Sequence, residues 1–138
     1  MNEKTTAPCG NLLLRTLAMP ADTNANGDIF GGWIMAQMDI AGGILAKEIA
    51  TGRTVTVAVD RMEFRKPVQV GQVVCCYGTC LGIGRTSMLI KLEVWVQTVL
   101  EGSREPDYCV TTGEFTYVAV DAEGQPRPVP KPETGPPV

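Results

Sequence analysis

Asn24-Ala25-Asn26-Gly27-Asp28-Ile29-Phe30-Gly31-Gly32-Trp33-Ile34-Met35-Ala36-Gln37-Met38-Asp39-Ile40-Ala41-Gly42-Gly43 is the stretch on which the rest of the chain is organised. It reads as a glycine-rich turn running into one long apolar helix. Asn24, Asn26, Gly27 and Asp28 are turn formers, tolerant of left-handed backbone or able to bond their own main chain. Gly31 and Gly32 allow another segment or a ligand to approach the backbone closely. From Trp33 to Ala50 no proline intervenes, which predicts one helix. At about 100° per residue, Trp33, Ile34, Met38, Ile40, Ala41, Ile44 and Leu45 do not share one stripe, so the helix is expected to be enclosed all round. It is too short and too glycine-rich for a membrane span, which needs about 20 apolar residues.

One acid, Asp39, lies within this helix. Its neighbours three and four positions away are Ala36, Met35, Gly42 and Gly43, none of them a countercharge. Lys47 lies two turns on, about 12 Å along the axis, and gives no local pairing. A buried carboxylate is costly without partners. Either Asp39 bonds to amides of the preceding turn or to a distant base, or it is a catalytic carboxylate whose small neighbours leave room for a substrate.

The 138 residues suffice for one domain with a core, and 44% hydrophobic against 20% charged residues is a globular composition. A formal net charge of -3 offers no bulk basic field for nucleic acid. No signal peptide is visible, since Leu12-Leu13-Leu14 is too short for an h-region, and a cytoplasmic location is expected. The five cysteines, Cys9, Cys75, Cys76, Cys80 and Cys109, are read as free thiols, mostly buried, and no metal site is expected. Histidine is absent. That removes Ser-His-Asp and Cys-His mechanisms and any histidine base, leaving Asp, Glu, Lys, Tyr or Cys for acid-base chemistry.

In order, 1–10 reads as a mobile polar lead, and Leu12 to Ala18 as a short first strand. The helix is expected to run to about Ala50, where Thr51-Gly52-Arg53 stops it, with glycine near the end. Thr54 to Phe64 alternates and is β-branched, and Pro67 follows its end. Val73 to Leu81 and Thr86 to Gln97 are strands joined through Gly82-Ile83-Gly84. In the latter, Met88, Ile90, Leu92, Val94 and Val96 share one face, with Lys91, Glu93, Trp95 and Gln97 on the other. After a polar loop, Tyr108 to Val120 is the last strand. The domain is expected to span 11–124. From Gln125 onward a tail, 125–138, carries six of the ten prolines and is read as mostly mobile. An antiparallel sheet wrapped round one helix accounts for this order. A helix apolar all round also needs cover on its outer side, which predicts at least a homodimer.

The segments Met19 to Met35, Gln37-Met38-Asp39, Thr56-Val57-Ala58-Val59, Lys66-Pro67, Gly84-Arg85-Thr86-Ser87 and Phe115 to Asp121 resemble the YciA-type acyl-CoA thioesterases. The likeness runs from about Leu12 to about Pro130. It implies an α+β hotdog fold and hydrolysis of acyl-CoA to a free acid and CoA, with no cofactor beyond the CoA of the substrate. It implies Asp39 as the catalytic carboxylate and Asp28 as a second site residue, matching an asparagine in related two-hotdog hydrolases. It also implies a site between subunits, Asp28 of one facing Asp39 of the other, and a homodimer or trimer of dimers. No nucleic acid or membrane partner is implied.

The chemistry of the residues agrees with this reading. A thiolate leaves well, so histidine can be dispensed with. Asp39 would serve as general base on water or attack directly to form an anhydride. The backbone amides of Phe30, Gly31 and Gly32 would form an oxyanion hole helped by the helix dipole, unless the glycines serve only close packing. Arg85, Thr86 and Ser87, after Gly84, would grip CoA phosphates, unless they form an ordinary hairpin. Lys66 and Asn24 are further substrate-binding candidates. Met35 and Met38 either line an acyl tunnel or belong to the core. A hotdog dehydratase would need histidine. A non-catalytic acyl-CoA-binding module is the remaining alternative, and Asp39 discriminates, because a pure binder has no use for an unpaired acid beside the thioester.

Overall fold

The computed structural model describes residues 7–98, 102 and 106–130. Most of the expected lead, most of the loop before the last strand, and 131–138 of the expected tail lie outside the described residues. Five strands, β1 (Asn11–Leu17), β2 (Thr54–Phe64), β3 (Val73–Ile83), β4 (Ser87–Gln97) and β5 (Tyr108–Ala119), form one antiparallel sheet in the order β1-β3-β4-β5-β2. The helix α1 (Gly31–Ala50) packs across all five strands on one face. This is the sheet wrapped round a helix that the hotdog fold requires.

The core follows from the period-two pattern of β4. Met88, Ile90, Leu92, Val94 and Val96 are all fully buried, in one cluster with Ile34, Met38, Ala41 and Ala46 of α1. Each such aliphatic burial contributes about 1.5–3 kcal/mol. Met38 is therefore core. Two glycines set how closely the layers approach. A Cβ on Gly42 would stand 2.3 Å from the Tyr117 hydroxyl, and one on Gly78 would stand 2.5 Å from Leu13 Cδ1. Tyr117 is buried and has no room to retreat within a packed interior.

Three local features differ from the expectation. First, α1 starts at Gly31, two residues earlier than Trp33, with Phe30 as N-cap. Second, the helix ends at Ala50 before Thr51-Gly52-Arg53 as expected, but Thr51 and not the glycine takes the left-handed conformation (φ 52). The Thr51 hydroxyl donates to the Ala50 carbonyl at 2.7 Å, and Gly52 instead leaves space for Arg127, whose guanidinium donates to the same carbonyl at 3.0 Å. A cation at that end also complements the helix dipole. Third, the proline-rich segment does not leave the fold at Gln125. Pro126 bridges Val120, the Val129 amide donates to the Arg85 carbonyl at 2.8 Å, and Val129 is buried. Proline prevents this segment from joining the ladder as a regular strand, but its alternate residues still donate and pack.

The second face of β4 is buried as well. The Glu93 carboxylate accepts from the Trp95 indole at 2.9 Å and from the Cys9 amide at 3.1 Å, which satisfies an acid that would otherwise be costly there.

The other side of α1 is open in the single chain. Ile40 is 52% exposed, and Val57 and Phe64 on the edge strand β2 are 54% and 51% exposed. β2 has a neighbour on one side only, β5, so its other edge presents unpaired backbone groups.

Candidate active site

Asp39 sits at the middle of α1, where its side chain meets β2 and β5. The Thr56 hydroxyl donates to Asp39 Oδ1 at 2.6 Å, and the Tyr117 hydroxyl donates to the same oxygen at 3.0 Å and to the Asp39 carbonyl at 3.1 Å. Asp39 Oδ2 has no partner among the described residues. The carboxylate is thus held by one oxygen and free at the other. It borders a cavity of about 350 Å³ lined by Ile40, Gly43, Ile44, Lys47, Thr54, Thr56 and Tyr117. Burial, then the charge of Asp39 and the hydrogen bond to it, push the Tyr117 phenol well above its ordinary value, with Thr56 opposing. Tyr117 therefore stays protonated and acts as a donor. Neither of the two local explanations of Asp39 describes these contacts. Its partners are two neutral hydroxyls from strands far off in sequence, not amides of the turn and not a base.

The turn before the helix is built from its own side chains. Asn24 Oδ1 accepts from the amides of Asn26 at 2.8 Å and Asp28 at 3.2 Å, and Gly27 takes φ +87. The oxygen of Asn24 therefore shapes the loop. The Phe30 amide donates to the Asp22 carbonyl at 3.0 Å. That leaves the amides of Gly31 and Gly32, at the start of α1, with no acceptor among the described residues. First-turn amides lack an intrahelical partner and carry the positive end of the dipole. Asp28 Oδ1 accepts from the Gln69 carboxamide at 3.1 Å.

Asp28, Gly31 and Lys66 border a second cavity of about 290 Å³, together with Asn24, Ile34, Phe64 and Arg65. Lys66 is steadied over the Tyr108 ring at 5.1 Å. Asp39 is not part of this cavity. One chain thus keeps Asp28 and Asp39 in separate hollows. The Gly84-Arg85-Thr86-Ser87 turn is remote from Lys66 too. Ser87 pairs with Val118 and Val118 with Val55 at the start of β2, whereas Lys66 follows its end and bonds Val110. In the turn the Gly84 amide donates to the Ser87 carbonyl at 2.8 Å.

Three of the cysteines, Cys75, Cys76 and Cys109, are poor nucleophiles. Burial, with the neighbouring Cys75, pushes the Cys76 thiol up to about 12, and burial raises Cys75 and Cys109 as well. Among the described residues no three acidic or cysteine side chains converge as a metal site, and no helix is long and apolar enough to cross a membrane.

Sequence reasoning missed Tyr117 and Thr56. The one signal was Gly42, a glycine in a helix interior three positions after the acid, which marks a close approach.

Comparison with known proteins places this geometry in a family. Residues 26–103 match the model of the thioesterase superfamily. An acyl-CoA thioester hydrolase of Haemophilus influenzae is 65% identical over 122 residues, 88% of this chain and 79% of the relative. The acyl-CoA thioester hydrolase YciA of Escherichia coli strain K12 is 62% identical over 123 residues, 89% of this chain and 93% of the relative. Among solved structures, a hexameric thioesterase from Yersinia pestis superposes with a TM-score of 0.84 at 61% identity, covering 91% of this chain and 99% of that one. With the family model matched over more than half of the chain and relatives 65% and 62% identical over most of it, the chain belongs to the YciA-type acyl-CoA thioester hydrolases of the thioesterase superfamily.

Proposed function

We propose that this protein hydrolyses acyl-CoA thioesters to a free carboxylic acid and CoA, with Asp39 as the catalytic carboxylate. One observation carries the reading. Asp39 is pinned at Oδ1 by Thr56 and Tyr117 and bare at Oδ2, beside a cavity of about 350 Å³. A half-buried carboxylate held at one oxygen by neutral hydroxyls, with the other turned to an open cavity, is placed to take a proton. In the general-base route, Oδ2 takes a proton from water and the water oxygen attacks the thioester carbonyl. The carbonyl oxygen becomes an oxyanion held by the Gly31 and Gly32 amides. The C–S bond breaks, and the thiolate leaves and takes the proton back. Thr56 and Tyr117 are positioning residues that hold the carboxylate without neutralising it.

The complete site is a joint product of two subunits. The exposed edge of β2 and the bare outer side of α1 support a twofold pairing of β2 with its copy. Antiparallel pairing brings the Phe64 end of one strand beside the Thr54 end of the other. Asp28, Gly31, Gly32 and Lys66 of one protomer then meet Asp39 of its partner. Arg85, Thr86 and Ser87 lie at the Thr54 end and join Lys66 of the other protomer in gripping CoA phosphates. The hexameric Yersinia relative supports a trimer of such dimers. CoA enters as part of the substrate and no further cofactor is required. Five unpaired cysteines fit a reducing, cytoplasmic compartment.

Thiol release from a panel of acyl-CoAs, acetyl to palmitoyl, on wild type and Asp39→Asn side by side tests the reading. Release by wild type alone is expected. Release of equal rate by Asp39→Asn refutes it.

A further inference from the structure

Most cations that line the two faces of the sheet are already engaged. Arg61, Arg65 and Lys91 each sit beside an acid, Arg15 donates to Gln97, Arg53 and Arg127 donate to carbonyls, and Lys66 lies over Tyr108. Lys47 differs. Its ammonium, like the Arg85 guanidinium, has no hydrogen bond or ion pair among the described residues, and of the two only Lys47 borders the same cavity as Asp39.

Its placement depends on Gly43. A Cβ on Gly43 would stand 3.6 Å from Lys47 Nζ, so the lysine folds back along α1 by a turn, over the bare backbone of Gly43. Gly43 is itself one turn from Asp39, about 6 Å along the axis. An ammonium and a free carboxylate oxygen thus border one hollow about a turn apart, with Ile40 and Ile44 lining the apolar helix surface between them. A partly exposed ammonium keeps some of its water, so it can receive a carboxylate without the full desolvation cost of a buried pair.

We propose that Lys47 is a specificity residue that receives the distal carboxylate of a short dicarboxylic acyl group, of succinyl or glutaryl length, while the thioester carbonyl of that group lies at Asp39. The inference rests on the reading of Asp39 given above and adds a substrate class to it. Methylenes of the acyl group lie along Ile40 and Ile44, and the two ends of the group meet opposite chemistries. An alkyl group of equal length fills the same space but leaves the ammonium unpaired.

The experiment compares kcat/KM for glutaryl-CoA and pentanoyl-CoA on wild type, Lys47→Met and Lys47→Arg. Lys47→Met keeps the length of the side chain and removes only the charge. The glutaryl-to-pentanoyl ratio is expected to fall about tenfold in Lys47→Met, the loss of one charge-assisted contact, and to stay near the wild-type value in Lys47→Arg. An unchanged ratio in Lys47→Met overturns the proposal. An equal fall for both substrates also overturns it, because Lys47 then contacts a part of CoA common to both. Wild type that cleaves pentanoyl-CoA but not glutaryl-CoA overturns this inference alone. Wild type that cleaves neither overturns this inference, while the Asp39 reading is decided separately by the acetyl-to-palmitoyl panel on wild type and Asp39→Asn.

Discussion

Adding one methyl group to the helix at Gly42 tests the architecture of the site. On an exposed helix Gly→Ala stabilises by about 1 kcal/mol. Here the new Cβ would lie 2.3 Å from the Tyr117 hydroxyl, 2.9 Å from its Cζ and 3.0 Å from Leu92 Cδ1. The ring is 1% exposed and stacked at 6.4 Å from Phe115, so it has no free direction in which to move. Overpacking of this kind costs about 1–3 kcal/mol, and the displaced hydroxyl loses its bonds to Asp39, about 1.5–3 kcal/mol for a charged acceptor. The helix gain is outweighed, and Gly42→Ala is expected to destabilise by about 2–4 kcal/mol. Thiol release is expected to fall at least about tenfold in kcat, with KM little changed, because the carboxylate loses its aim and not its substrate. Urea unfolding measures the first quantity and steady-state thiol release the second. The double variant Gly42→Ala/Tyr117→Phe removes the shortest contact, so part of the stability returns while activity stays low, a coupling expected only of touching residues. If Gly42→Ala is more stable than wild type and fully active, Tyr117 does not stand over Gly42 and the account of how Asp39 is held is wrong.

The other two predictions concern pH and assembly. Cys76 is raised from 9.0 to about 12, and Tyr117 is raised from 10.0, both chiefly by burial. A raised acid retains its proton in the folded state after the unfolded chain has lost it, so its contribution is complete below its ordinary value and is lost as the pH rises past it. Stability in urea should therefore decline from pH 9 toward pH 12, at up to about 1.4 kcal/mol per pH unit for each group, and Cys76→Ala should make the decline shallower; an identical decline in that variant refutes the assignment. Val57 on the open edge of β2 is 54% exposed, and Val57→Lys should lower the molecular mass in sedimentation and abolish thiol release together. A variant that stays assembled and active would exclude pairing through β2.

Much of this molecule was legible from local pattern. The alternation of Met88 to Val96 is a property of neighbours in the chain, and it marked the buried face of β4 before any contact was known. The all-round apolar character of α1 likewise marked a second apolar side, on which Ile40 and Ile44 stand exposed, because a helix cannot bury two opposite sides against one sheet. Asp39 stood out for the same reason, as an acid with no local partner. Its real partners, Thr56 and Tyr117, lie 17 and 78 positions away, and no periodicity links them to it. The local sequence also placed the helix end at about Ala50, but did not decide which residue of Thr51-Gly52-Arg53 turns left-handed, since Thr51 takes that conformation and Gly52 makes room for Arg127 from the segment after β5.

The amino-acid sequence by itself determined the element order, the buried faces, the absence of any histidine chemistry and the one carboxylate worth attention, because each depends on residue type and near neighbours. Only the tertiary structure decided that, among the described residues, Oδ1 of that carboxylate is held while Oδ2 has no partner, that the Phe30 amide is engaged and those of Gly31 and Gly32 are not, and that Asp28 and Asp39 of one chain occupy different hollows. These are matters of which atoms from distant strands arrive at one point, and the packing of a helix on a twisted sheet sets that.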